Sequence, residues 1–216
     1  MNTLDLFDET PSEWEERLGP AAVILRSFAS ADAEALLNGL RDILSKAPLR
    51  HLVTPGGHTM SVATSSCGQL GWFSDRRGYR YTPIDPTSGE PWPAMPASFL
   101  ALAQAAAARA GFTGFNPDAC LINCYRPGAK LSLHQDRDEK HLDAPIVSVS
   151  LGMSATFLWG GLQRHDKVHR TLLQHGDVVV WGGEDRLRFH GVAPLKEAPH
   201  PRLGARRFNL TFRQAG

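Results

Sequence analysis

The chain has 216 residues, enough to bury one sizeable core, and its 42% hydrophobic and 21% charged residues exclude disordered and collagen-like classes. The net charge of +1 conceals an asymmetry: residues 1–17 hold six acids (Asp5, Asp8, Glu9, Glu13, Glu15, Glu16) against Arg17, a balance of −5, so the remainder carries +6. That remainder is too mildly basic to bind nucleic acid by charge alone, yet it permits a local basic groove.

The amino terminus is acidic, not basic and apolar, so no signal peptide is visible. The three cysteines, Cys67, Cys120 and Cys124, have no zinc-like spacing. A reduced, cytoplasmic protein is the expectation. Residues 21–28, AAVILRSF, read as a short buried strand. Ser30 is the expected N-cap of a helix from Ala31 to Lys46, which ends before Pro48 and keeps Ala33, Leu36, Leu37, Leu40 and Leu44 on one side for packing against a sheet. Residues 48–96 are rich in turn signals (Pro55-Gly56-Gly57, Gly68, Gly71, Gly78, Pro83, Pro86, Gly89) and predict hairpins and loops. Between those turns Trp72, Tyr79 and Tyr81 stand beside Arg76, Arg77 and Arg80. Rings interleaved with cations suit a groove that stacks bases and meets phosphates, although tryptophan and tyrosine are more often core filler. Residues 97–110 predict a helix stopped by Gly111, too short to span a bilayer, so no membrane association is expected.

From Asp118 onward strand follows strand: CLINCY, KLSLHQD, IVSVSLG, ATFLWGG, RTLLQ, VVVWGG, RLRFHGV and RRFNLTF. Eight short strands divided by glycine turns predict a sandwich or jelly-roll barrel, with Pro127-Gly128 supplying a type II turn after the first. Within KLSLHQD, side chains two apart leave the same face about 6.6 Å from each other. His134 and Asp136 would therefore point together, which an ordinary solvated strand can also do. A second histidine would complete a two-histidine, one-carboxylate metal triad with open coordination positions. His190, inside a strand pattern 54 residues after Asp136, is the candidate, whereas His141, His165, His169 and His175 read as surface residues. The last strand puts Arg207, Asn209, Thr211 and Arg213 on one face and Phe208, Leu210 and Phe212 on the other. Its two arginines, about 20 Å apart along an extended strand, could lean inward and grip opposite ends of a short dicarboxylate.

Taken with the segments TPGGHTMSVA, GQLGW, YTPIDP, PWPAMP, PDACLINCYRPGAKLSLHQDRDE, APIVSVSLG, HGDVVVWGGEDRLRFHG and RFNLTFRQAG, these residues resemble the AlkB-type, Fe(II)- and 2-oxoglutarate-dependent nucleic-acid dealkylases over nearly the whole chain. The resemblance implies a mainly β protein with flanking helices, built on a double-stranded β-helix (jelly-roll) core with an N-terminal nucleotide-recognition lid. One domain, 1–216, is expected: an N-terminal extension and helix over 1–47, the lid over 48–96, and a helix plus catalytic core over 97–216. By resemblance His134, Asp136 and His190 hold Fe(II). Asn123, Tyr125, Arg207, Asn209 and Arg213 take 2-oxoglutarate, with Arg213 on its distal carboxylate and Arg207 nearer the iron, where it counts among the catalytic residues. Trp72 would stack on the damaged base, Tyr79, Arg80 and Tyr81 would meet the flanking nucleotide, and Met60, Asp138 and Arg164 would contact substrate. Asp138 would favour the positive charge of 1-methyladenine or 3-methylcytosine over the neutral parent base. With molecular oxygen, the family's chemistry hydroxylates the N-methyl group, releases formaldehyde, and converts 2-oxoglutarate to succinate and carbon dioxide. A monomer acting on alkylated single-stranded DNA is expected, with double-stranded DNA and RNA left open. The alternatives are a 2-oxoglutarate oxygenase acting on a small molecule or protein, and a non-catalytic nucleic-acid binder on a barrel fold. The chain departs from the family pattern at His58 and Phe189, where tyrosine is familiar, and in the loop Lys140 to Asp143.

Overall fold

Strands buried on both faces need a layer on each side, and the composition of this chain supplies both layers. The structure, a computed structural model, describes residues 14–216. Its elements are β1 (Glu15–Gly19), β2 (Ala22–Leu25), α1 (Ala33–Lys46), β3 (Ala63–Gly68), β4 (Gly71–Asp75), β5 (Gly78–Thr82), α2 (Ala97–Arg109), β6 (Ala119–Tyr125), β7 (Leu131–His134), β8 (Ile146–Gly152), β9 (Ala155–Trp159), β10 (His169–Leu173), β11 (Val178–Trp181), β12 (His190–Val192) and β13 (Arg207–Arg213). The strands β6 to β13 are the eight read from the sequence. They divide between two sheets, β11-β8-β13-β6 and β10-β9-β12-β7, in the jelly-roll manner. The first sheet grows to seven strands through β2 and β1 beyond β11 and β3 beyond β6.

Alternation along β6, β8 and β13 explains why every residue of all three is buried. Cys120, Ile122, Cys124, Val147, Val149, Phe208, Leu210 and Phe212 face the helices in the largest apolar cluster, together with Leu36, Leu40 and Ile43 of α1 and Phe99, Leu102 and Ala106 of α2. Phe99 meets Phe212 edge-on, with centroids 5.9 Å apart. Burying a ring of that size stabilises the fold by about 1.5–3 kcal/mol relative to exposure, so β13 is clamped from behind. Its polar residues, and those of β6 and β8, are left facing the second sheet.

Four local expectations change. The helix begins at Ala33 with Asp32 as its N-cap, not at Ala31 after Ser30, because Ala29 donates its N–H to the Gly176 carbonyl at 2.9 Å and holds residues 29–30 against the sheet. The segment expected to be a lid is divided: β3 is an edge strand of the larger sheet, paired with β6, and the separate two-stranded unit is the β4–β5 hairpin. β1, which the sequence did not suggest, pairs with β2, and its Glu16 meets Arg26 while Glu15 meets Arg109. The other expected acids, Asp5, Asp8, Glu9 and Glu13, lie outside the described residues. Finally, KLSLHQD is a strand only to His134, and RLRFHGV only from His190. Gly128 adopts φ +83° in the expected turn, a conformation glycine takes without steric cost. No described helix is long and apolar enough to cross a membrane.

Candidate active site

The polar faces of the larger sheet and the edge of the smaller one enclose a cavity of about 710 Å³. His134 ends β7 and His190 opens β12, and the antiparallel register sets them directly opposite each other. Asp136, two residues past the end of β7, turns in between them. Its Oδ1 lies 3.5 Å from His134 Nε2 and its Oδ2 lies 3.7 Å from His190 Nε2. The three ligand atoms fall within 4.8 Å of one another. Each imidazole Nδ1 approaches a carbonyl, Ser132 at 2.9 Å and Arg188 at 3.0 Å. A carbonyl only accepts, so Nδ1 carries the proton and both Nε2 lone pairs point inward, the tautomer a metal ligand needs.

Charge at this end is arranged unequally. Burial alone would raise the Asp136 pKa, but the Arg213 guanidinium and the two imidazoles outweigh it and hold the carboxyl well below its usual range. For His134 burial instead opposes protonation, and there the hydrogen bond and charge of Asp136 win, raising its pKa. For His190 burial and the neighbouring His134 prevail, bringing it down to about 4. Arg213 donates from Nη2 to Asp136 Oδ2 at 2.7 Å and sits 3.1 Å from Glu139, so its charge is compensated. Arg207 differs. It is 1% exposed, lies over the Tyr125 ring at 5.0 Å, and donates from Nη2 to Ser150 Oγ at 2.9 Å. Among the described residues no carboxylate pairs with it, and burial lowers its pKa. Its Nε and Nη1, with Nη1 of Arg213, are buried donors without partners among the described residues. A buried cation with idle donors beside a cavity calls for an anion.

This geometry reverses one expectation. Arg213 touches the metal carboxylate and is the arginine nearer the triad, whereas Arg207, six residues away along β13, marks the far end. The reversal follows from the turn of the chain at Asp136, which carries the carboxylate off β7 and across to the β13 end that holds Arg213.

Asn123, Tyr125 and Asn209 line the same cavity, and Asn209 is fixed by donating to Ser148 Oγ at 2.8 Å and accepting from Thr211 Oγ1 at 2.9 Å. Ser148, Ser150 and Thr211 complete the polar face: Ser148 and Thr211 line the cavity, and Ser150 accepts from Arg207. The alternation in IVSVSLG, serines between valines, was the signal that could have marked the first two. At the mouth, Met60, Trp72, Tyr79, Tyr81, Asp138 and Arg164 all line the cavity. Trp72 and Tyr79 stack with centroids 5.5 Å apart, Trp72 Nε1 donates to Asp138 Oδ2 at 3.3 Å, and Arg164 lies over the Phe189 ring at 5.8 Å. Arg80 is not brought there: it donates from both terminal nitrogens to Asp75, at 2.9 and 2.8 Å, and packs on Phe73.

Comparison with known proteins agrees with this site. The sequence model of the 2OG-Fe(II) oxygenase superfamily matches residues 21–213. The chain is also 60% identical over 213 residues to the alpha-ketoglutarate-dependent dioxygenase AlkB of Escherichia coli, covering 99% of this chain and 98% of that protein. The chain belongs to the AlkB group of this superfamily. A second relative in that group, the AlkB homolog of Caulobacter vibrioides, is 43% identical over 190 residues, 88% of this chain and 83% of its own. The solved structure of OsALKBH1 superposes with a TM-score of 0.81 at 28% identity, covering 93% of this chain and all of that one. As a member of the AlkB group the chain is an Fe(II)- and 2-oxoglutarate-dependent dioxygenase, and the donor set fits both groups: imidazole and carboxylate suit Fe(II), and the idle guanidinium donors suit a dicarboxylate.

Proposed function

We propose that this dioxygenase demethylates N-alkylated bases, 1-methyladenine and 3-methylcytosine, in single-stranded DNA, and that RNA bearing the same lesions is a further substrate. The observation that carries the reading is one continuous cavity with a metal triad and an uncompensated arginine at its floor and stacked aromatic rings beside a carboxylate at its mouth. A relative, the human protein named nucleic acid dioxygenase ALKBH1, is 34% identical over 112 residues, which supports a nucleic acid as the substrate here.

In this reading His134, Asp136 and His190 hold the iron, Arg213 takes the 2-oxoglutarate carboxylate nearer the metal, and Arg207 takes the distal one. Iron(II), with 2-oxoglutarate and oxygen, supplies the oxidising power that hydroxylates the N-methyl group, with formaldehyde, succinate and carbon dioxide as products. The chain's own work is placement. Arg186, Arg207 and Arg213 outnumber Asp136 and Glu139 by one charge, so a divalent metal alone would raise the local charge to +3. A dianion entering with it restores the balance, so the two bind more favourably together than apart. At the mouth, Trp72 offers a face to a flipped base, and Asp138 favours the cationic lesion over its neutral parent. A lesion that cannot pair is also cheaper to extrude, which favours it over sound bases.

The test is a single-stranded oligonucleotide bearing one 1-methyladenine, incubated with the protein, Fe(II), 2-oxoglutarate and oxygen, with the product mass read directly. A loss equal to one CH2 that vanishes in His134→Ala is the expected result. Succinate formed while the oligonucleotide stays unchanged would retain the dioxygenase and discard the substrate, favouring a small molecule or protein instead.

A further inference from the structure

Glu139 reads from sequence as part of an acidic loop without a role. The fold buries it. Its side chain is 2% exposed, and three donors converge on it. Tyr81 Oη donates to Oε1 at 2.7 Å, Arg213 Nε lies 3.1 Å from the same oxygen, and Arg186 Nη2 donates to Oε2 at 3.1 Å. Arg186 is itself buried and closes the loop behind the site, donating from Nη1 to the Asp136 carbonyl at 2.6 Å and from Nε to the Ala144 carbonyl at 3.0 Å.

This arrangement does more than satisfy a buried carboxylate. A long arginine side chain has many rotamers, and its guanidinium is aimed only if its nitrogens are occupied on defined sides. Glu139 and Asp136 occupy Nε and Nη2 of Arg213, so Nη1, buried and without a partner, is the donor left toward the cavity. The third member comes from elsewhere. Tyr81 belongs to β5, in the β4–β5 hairpin that carries Trp72 and Tyr79 at the mouth. Burial, against the opposing charge of Arg213, and the carboxylate of Glu139 push its phenol well above the usual tyrosine range, so the hydroxyl stays a donor. The hydroxyl is thus turned toward the floor, away from any nucleotide that the hairpin meets.

We propose that Tyr81 and Glu139 are positioning residues of the 2-oxoglutarate site, holding Arg213 so that its idle Nη1 meets a carboxylate of the cosubstrate. The recognition hairpin then forms part of the cosubstrate site before any nucleic acid arrives. This inference rests on reading the floor as the 2-oxoglutarate site, and it gives Tyr81 a task different from the flanking-nucleotide contact implied by resemblance.

The experiment is calorimetric titration of 2-oxoglutarate into the full-length protein loaded with Mn(II), with no nucleic acid present, for the parent, Tyr81→Phe and Glu139→Gln. Removing one hydrogen bond to a charged group should weaken 2-oxoglutarate binding roughly five-fold in Tyr81→Phe, and losing the charge on Glu139 should weaken it by more than about ten-fold. Affinity for Mn(II) alone should change less in both. Glu139→Gln leaves two buried guanidiniums poorly paired and can fail to fold. Tyr81→Phe removes only a hydroxyl, and a melting curve near the parent's qualifies it to decide alone. A Tyr81→Phe protein whose 2-oxoglutarate affinity stays within about two-fold of the parent overturns the proposal, the more so if its KM for methylated oligonucleotide rises. A parent that binds 2-oxoglutarate yet leaves methylated oligonucleotides unchanged defeats the proposed substrate and leaves this inference standing.

Discussion

The floor and the mouth of the cavity are built on opposite principles. At the floor, Asp136, Glu139, His190, Arg207, Asn209 and Arg213 are all buried, and their orientations are set by hydrogen bonds between strands that the helices clamp from behind. At the mouth, Tyr79 is 47% exposed, Asp138 is exposed, and the hairpin meets the loop after β7 through the Trp72–Asp138 and Tyr81–Glu139 bonds. Chemistry that must place a cosubstrate within tenths of an ångström belongs on rigid strands, whereas a surface that admits bases of different shape gains from exposed side chains carried on a separate hairpin. The division also separates the energetics. Floor interactions work in a low dielectric, and those at the mouth are weakened by water and salt.

Substitutions should separate the two ends by size of effect. Asp136→Ala removes the only anionic member of the triad and leaves Arg213 half-paired. Turnover should fall by at least about a thousand-fold, the order expected when a catalytic metal is lost. The rise in melting temperature given by Mn(II) with 2-oxoglutarate, about 5–10 °C at a hundred times Kd for a chain this size, should vanish with it. A variant that keeps that shift would remove Asp136 from the metal site. Arg207→Met is the sharper test, because it separates binding from folding. The guanidinium is buried, uncompensated and short of partners, so methionine of similar reach should leave the melting temperature of the ligand-free protein unchanged or raised. The same change should weaken 2-oxoglutarate binding about a hundred-fold through two lost charge-assisted bonds. Equal losses of stability and affinity would mean that Arg207 serves the fold.

Legibility in the sequence followed the same division. Period-two alternation and glycine punctuation were enough to find all eight barrel strands, because the strands of the larger sheet turn one face to the helices and one to the barrel interior, and those of the smaller sheet turn one face inward and one outward. The metal triad was legible for a related reason, since His134 and Asp136 are close in the chain and His190 sits in a recognisable strand. What the sequence could not supply was direction across the barrel. Which arginine lies nearer the metal depends on where the chain leaves β7, and strand spacing carries no information about that turn. Glu139 and Arg186 were invisible because an acid in a loop and an arginine after a glycine turn are ordinary surface signals. The pairing of loop 136–144 with the 183–186 turn, with Tyr81 and Arg213 closing over Glu139, buries them. Arg80 was misplaced because a five-residue strand sends alternate residues to opposite faces, and the sequence alone does not say which face meets the cavity.

The smaller predictions concern the mouth. Trp72→Ala should raise KM for a methylated oligonucleotide roughly ten-fold, the range for losing one base–aromatic stack, while 2-oxoglutarate Kd measured without nucleic acid moves far less. A comparable change in both would mean that the mouth and floor act as one unit.

The smallest effect should come from Asp138→Asn. Asparagine keeps the shape and an oxygen for the Trp72 Nε1 donor, so only the charge is removed. An exposed carboxylate beside a cation contributes only a fraction of a kcal/mol to about 1 kcal/mol in water, so kcat/KM for cationic 1-methyladenine should fall about two- to five-fold. A neutral lesion, 1-methylguanine in the same oligonucleotide, should be turned over nearly as fast by the variant as by the parent, because no charge is there to be recognised. If both lesions lose equally, Asp138 acts by orienting Trp72. If neither changes, lesion preference resides in shape and ease of extrusion, and the carboxylate at the mouth has no part in it.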